Sequence, residues 1–232
     1  MPFYTGVGSR SAPPEVLARV TLIARSLDQL GWTLRSGGAV GVDQAFEAGA
    51  VRMRPEIYIP WQGFRNRYVG PYDPPAILLS SEDFRLAEER VSQVHPTWEK
   101  CGPSAQTLHA RNAFQVFGSL TVPAEPSRFV LCWTQDGAVK GGTATAIRLA
   151  QNAGIPVFNL GSPDNPIAMM ARLLTLLVSQ QRLPEEGSPA TIAGRMTDAI
   201  NTLAELGGVP YRITAPRKLG LYPPPREKED DD

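Results

Sequence analysis

Thr5-Gly6-Val7-Gly8-Ser9-Arg10 closes an apolar run that begins at Pro2, and it stands directly before a segment of helical periodicity. A short buried strand that ends in glycines and passes at once into a helix is the opening of a βα unit. Pro13 and Pro14 start the helix, where a missing N–H costs little, and Val16, Val20, Ile23, Leu27 and Leu30 recur at helical spacing until Gly31. The same punctuation then returns. Trp32 to Arg35 reads as a second strand, closed by Ser36-Gly37-Gly38-Ala39-Val40-Gly41-Val42-Asp43. A helix from about Val42 to Val51 and a third strand, Glu56 to Ile59, follow. Strand, helix, strand, helix, strand predicts an α/β chain: a Rossmann-like, doubly wound, mostly parallel sheet with helices on both faces.

Residues 61 to 127 read as an insertion in that rhythm. Gly70-Pro71-Tyr72-Asp73-Pro74-Pro75 is turn chemistry, with helices expected near Ser81 to Val94 and Ser104 to Phe117. The rhythm resumes with a strand at Phe129 to Trp133, a helix from about Thr143 to Ala153 and a strand at Val157 to Leu160. Two more helices are expected, near Asn165 to Gln181 and Pro189 to Leu206. Residues 1–206 then form one domain. Residues 207–232 carry three consecutive prolines and a run of mixed charge, the composition of a disordered tail.

The 232 residues are 42% hydrophobic and 20% charged, enough apolar matter for a real core. Net charge is zero, which excludes a basic nucleic-acid coat or polybasic membrane binder as a description of the whole chain. No signal peptide is read at the start. The longest apolar stretch, Ile167 to Val178, is broken by Arg172, so no membrane partner is expected. Two cysteines, Cys101 and Cys132, suit a reducing, intracellular compartment. His95 and His109 have no Cys or acidic partner at metal spacing along the sequence, so no metal site is expected.

Ligands of open α/β sheets bind beyond the carboxyl ends of the strands. Three glycine turns fall there, each before a helix: Gly6 to Arg10, Ser36 to Asp43, and Asp136-Gly137-Ala138-Val139-Lys140-Gly141-Gly142-Thr143. Glycines admit close backbone approach and helix starts offer unpaired N–H groups, so a phosphate-bearing ligand is expected. Candidate binding residues are Gly6, Gly8, Ser9, Arg10, Ser36, Gly37, Gly38, Ala39, Gly41, Asp43, Arg111, Asn112, Lys140, Gly141, Gly142 and Thr143. Arg10 is either a phosphate clamp or a surface arginine. Ser36 and Thr143 are hydroxyl donors or helix caps, and Asp43 is a cap or a ligand contact. Asp136 and Asp43 are the candidate general bases, although Asp136-Gly137 is also an ordinary turn pair. Arg111 and Asn112 lie off the apolar face of Ala110, Ala113, Phe114 and Phe117, facing either the ligand edge or solvent. Arg52, Arg54, Arg65 and Arg67 interleave with Trp61, Phe64 and Tyr68, a pattern that suits single-stranded nucleic acid or a loop packing its rings inward.

A dinucleotide site is disfavoured. Ser11 replaces the third glycine of the fingerprint, and Ser36-Gly37-Gly38 stands where a ribose-binding acid is needed. The turns instead resemble the Rossmann-like domain of the DNA-processing protein A family. Gly6-Val7-Gly8-Ser9-Arg10 is similar to its G-x-R turn, Ser36 to Asp43 to its S-G-x-A-x-G-x-D, and Arg111-Asn112 before Phe117-Gly118 to its R-N-R helix, with Ala113 for the second arginine. Gly141-Gly142-Thr143-Ala144-Thr145-Ala146, through Gly154 to Phe158, resembles its S-G-S-x-x-T-A segment and the strand after it.

That family lies in the wider SLOG superfamily, whose members bind nucleotides, nucleotide-derived signals or DNA and whose short stand-alone relatives are often phage-borne. The cytokinin-activating Lonely-guy branch has a P-G-G-x-G-T-x-x-E motif. The matching stretch here ends in Ile147-Arg148, without the catalytic glutamate. The resemblance implies a cytoplasmic, DprA-like protein of DNA processing or recombination, with single-stranded DNA or a nucleotide-type small molecule as partner. A nucleotide-processing enzyme and a non-catalytic module that captures a nucleotide-derived signal are the alternatives. The helix at Ile167 to Val178 is apolar on nearly every side, so its excess must be covered by the final helix or by a second copy, and the resemblance favours a homodimer.

Overall fold

The computed structural model describes residues 2–70, 76–121, 125–163, 166–179 and 189–208. Beyond residue 208, the expected disordered tail lies outside the described residues.

The chain runs β1 (Phe3–Gly8), α1 (Pro14–Gln29), β2 (Thr33–Ser36), α2 (Val42–Gly49), β3 (Glu56–Ile59), β4 (Ala76–Leu78), α3 (Ser81–Ser92), α4 (Pro103–Phe117), β5 (Val130–Trp133), α5 (Gly141–Asn152), β6 (Val157–Asn159), α6 (Pro166–Ser179) and α7 (Pro189–Leu206). All six strands form one parallel sheet in the order β4-β3-β2-β1-β5-β6, a Rossmann-like α/β fold. The helix starts are local chemistry. Pro14 and Pro103 occupy first-turn positions of α1 and α4. Ser80 and Asp83 form a capping box at α3: the Asp83 amide donates to Ser80 Oγ (3.1 Å) and the Ser80 amide to the Asp83 carboxylate (3.2 Å).

Side chains alternate across each strand and load both faces of the sheet. Tyr4, Leu34, Phe129, Leu131 and Phe158 meet α1, α2, α6 and α7 on one face. Val7, Tyr58, Val130 and Cys132 meet α3, α4 and α5 on the other. The Cys132 thiol, shut into that second core, is pushed up to about 12 by burial.

Within residues 61–127, Ala76 to Leu78 pairs in parallel with β3 and adds an edge strand to the sheet before α3 and α4. Three residues are too few for a periodic signal. Part of the apolar excess of α6 is met within the chain: Met170, Leu173, Leu174 and Leu177 are buried in the core that holds Ala199, Ile200 and Leu203 of α7, while Ile167 is exposed. α7 thus covers those four residues of α6. Among the described residues no helix is long and apolar enough to cross a membrane.

Candidate functional site

β1 and β5 are neighbours, yet the helices that follow them pack on opposite faces of the sheet. A crevice opens at such a switch point, beyond the carboxyl ends of the strands. It holds a cleft of about 500 Å³. Of the expected site residues, Gly8, Ser9, Arg10, Ala39 and Asp43 line it from one side. Arg111, Asn112, Lys140, Gly141, Gly142 and Thr143 line it from the other. Gly6, Ser36, Gly37, Gly38 and Gly41 do not line it, and Asp136 sits on an exposed turn outside it.

The glycines divide into two kinds. A Cβ on Gly6 would lie 2.6 Å from Leu34 and Phe46, one on Gly8 2.5 Å from Val42, and one on Gly37 1.8 Å from the Arg111 guanidinium. These glycines make room for protein. Gly41 (φ +83°) turns the chain with the Ser9 carbonyl only 2.6 Å from where its Cβ would be. Gly141 and Gly142 have nothing within 4 Å of a built Cβ. They begin α5, which has no side-chain cap, so its first amides face the cleft without a capping side chain.

A buried charge cluster organises the floor. Asp43, in the first turn of α2, accepts the Gly8 amide at 3.1 Å and lies 3.9 Å from Arg111 of α4. Burial pushes its carboxyl up; Arg111 and the amides of Gly8, Ala39 and Gly37 pull it back. Arg111 also donates to the Gly37 carbonyl. Asn112 donates to the Gly142 carbonyl (2.9 Å), tying α4 to the start of α5. Neither is on a solvated helix face: both are buried. Ser36 is buried too and donates to the Gly6 carbonyl at 2.8 Å, so its hydroxyl holds β2 to β1.

Two residues, Glu47 and Gln115, were not singled out from the sequence. Glu47 stands one turn beyond Asp43 on α2, accepts the Gly38 amide at 3.1 Å and pairs with Arg67. Gln115 stands one turn beyond Arg111, is fully buried and lines the cleft. Both its side-chain polar atoms, and Arg111 Nε, lack a hydrogen-bond partner among the described residues. The i, i+4 spacing from Asp43 and Arg111 was the available signal. His109 of α4 also lines the cleft. The cations at the rim are Arg10, Arg65 and Lys140, all exposed. Arg65 takes a left-handed backbone (φ +52°) in the loop that also presents Phe64 to the cleft. Arg67 is spent on Glu47.

No protein-family model matches the chain, and no curated protein matches it. Two solved structures resemble it. One is DNA processing protein A from Helicobacter pylori, described for its single-stranded DNA binding mode: 19% identity, covering 88% of this chain and 80% of that one, TM-score 0.49. The other is the Moco carrier protein of Chlamydomonas rheinhardtii: 18% identity, 88% and 98% coverage, TM-score 0.41.

Glu47 carries a pH prediction. Burial, opposed by Arg67, pushes its carboxyl from 4.5 up to about 7. The fold therefore binds this proton more tightly than the unfolded chain does. The stability it contributes is full below pH 4.5 and is lost as pH rises to about 7. The swing is roughly 3 kcal/mol at 1.36 kcal/mol per pKa unit. His109, held down to about 4 against 6.5, acts in the opposite sense over pH 4 to 6.5. The readout is thus a difference. Glu47→Gln is expected to remove the fall in stability across this window relative to wild type, measured by thermal melts from pH 4.5 to 8. Parallel curves for the two proteins would show that Glu47 is not buried and protonating.

Proposed function

We propose that the protein binds the phosphates of a nucleic-acid strand, single-stranded DNA in first place, at the switch-point cleft, and that it serves DNA processing or recombination by that binding. One observation carries the reading. The uncapped start of α5, with Gly141 and Gly142 facing open space, lies in a cleft whose rim bears the exposed cations Arg10, Arg65 and Lys140. Helix-start amides and flanking guanidinium groups are a phosphate receptor. Phe64 lines the same cleft, and Trp61 and Tyr68 are exposed on its loop, where bases would stack. The carboxylates favour binding over chemistry: Asp43 is engaged by Arg111 and backbone amides, and Asp136 is outside the cleft. Capture of a single nucleotide is the second reading, favoured by the volume of about 500 Å³.

Anisotropy of a labelled oligo(dT) against a labelled mononucleotide tests both. Three phosphate contacts at roughly 0.7 each give a log–log salt slope of about −2 and roughly a 20-fold loss of affinity between 50 and 200 mM salt. Arg65→Ala is expected to reduce the slope by about 0.7. Absence of oligonucleotide binding at low salt rejects the strand reading. Tight, salt-insensitive mononucleotide binding establishes the second.

A further inference from the structure

His95, Cys101 and His109 are separated along the chain by a short helical turn and the start of α4, yet they converge. One ligand atom from each lies within 4.8 Å of the other two, and all three residues are half-buried. Cys101 Sγ is 4.0 Å from His95 Nδ1, and the two imidazole rings stand 4.3 Å apart, centroid to centroid. Bonds of ~2.0–2.1 Å to imidazole and ~2.3 Å to thiolate set neighbouring ligand atoms of a tetrahedral zinc site about 3.3–3.8 Å apart. The set here is open by about 1 Å at its widest, within reach of side-chain rotation.

The surroundings suit a ligand role. His109 Nδ1 is 2.8 Å from the hydroxyl of Thr145, a fully buried residue of α5. That bond orients the ring and occupies Nδ1, leaving Nε2 as the nitrogen for a metal, as an outer-shell partner does for a metal-bound histidine. The cations that face the pair are Arg148, toward His95, and Arg111, toward His109.

We propose that His95, Cys101 and His109 form a three-ligand site for a divalent transition metal of the zinc class, which pins residues 95–101 to α4 at the wall of the cleft. One thiolate and two imidazoles select such an ion over the hard cations magnesium and calcium. The fourth position is left to water or an external ligand. The site is independent of the phosphate-binding reading, and either stands if the other fails.

The test uses full-length, tag-free protein stripped with EDTA and titrated with Co²⁺. The expected result is one equivalent per chain with a thiolate-to-cobalt charge-transfer band that Zn²⁺ abolishes. Cys101→Ser is expected to lose the band and at least tenfold in affinity, and Thr145→Val to bind 10–100-fold more weakly with the band retained. In wild type, Zn²⁺ is expected to protect Cys101 from iodoacetamide, read by mass spectrometry, so the proposal stays testable if Cys101→Ser does not fold. A stripped, folded protein that gives no band with stoichiometric Co²⁺ overturns the site. So does a band that persists in Cys101→Ser, or alkylation of Cys101 unchanged by Zn²⁺.

Discussion

Arg111→Met is expected to destabilise the protein by about 3–5 kcal/mol, the usual effect of removing one partner from a buried ion pair. Arg111 is 7% exposed, lies 3.9 Å from Asp43 and is the strongest influence holding that carboxyl down against burial. Glu47 feels it as well, and the Gly37 carbonyl accepts from it. Methionine fills much of the volume but leaves two buried carboxyl groups without their shared cation. At roughly 2–4 °C per kcal/mol for a chain of this size, the melting temperature should fall by about 10 °C. The loss should shrink on acidification. Asp43 already has a raised pKa in the fold, and without Arg111 it rises further, so protonation on acidification relieves the uncompensated charge. Adding Asp43→Asn should recover part of the loss at pH 8, because the two changes share one interaction. A single substitution that melts within a degree of wild type at pH 8 would show that Arg111 is not the counter-charge of this floor.

Gly142→Asp separates binding from folding. The residue is in the first turn of α5, its φ is ordinary and a Cβ there meets nothing within 4 Å. A carboxylate in the first turn complements the helix dipole, and replacing a helical glycine removes an entropic penalty, so stability should hold or rise slightly. The same carboxylate would occupy the place proposed for a phosphate. Like charges juxtaposed across an interface cost several kcal/mol, so affinity for the oligonucleotide or nucleotide is expected to fall at least about 100-fold. Melting and anisotropy on the same sample decide it. Retained affinity in a folded Gly142→Asp protein means that the ligand does not use the start of α5.

Much of the fold was legible from neighbouring residues. Strands β1, β2, β3, β5 and β6 and helices α1 to α7 follow from runs, periods and punctuation within a few positions, and their alternation implies the parallel sheet and its carboxyl-edge cleft. β4 was not legible, because three residues after two prolines carry no period. Asn112 and Arg111 illustrate a half-readable case: helical spacing took them off the apolar face, but only the approach of α2 and α5 to α4 made that second face an interior one.

What the sequence determined by itself was local backbone behaviour: where helices start, where glycine must turn the chain, and hence the order of elements. That information resides in steric limits and hydrogen bonds spanning a few residues. What each glycine is for was decided only by tertiary structure, because the answer depends on what arrives from elsewhere. Gly37 yields to Arg111 and Gly6 to Leu34 and Phe46, while Gly142, indistinguishable from them in a motif, faces open space. The same holds for the charges and the thiol. Asp43 finds Arg111, Glu47 finds Arg67, and His95 meets Cys101 and His109 only after the sheet fixes where α2 and α4 lie. Burial then shifts their proton affinities, and no linear spacing encodes burial.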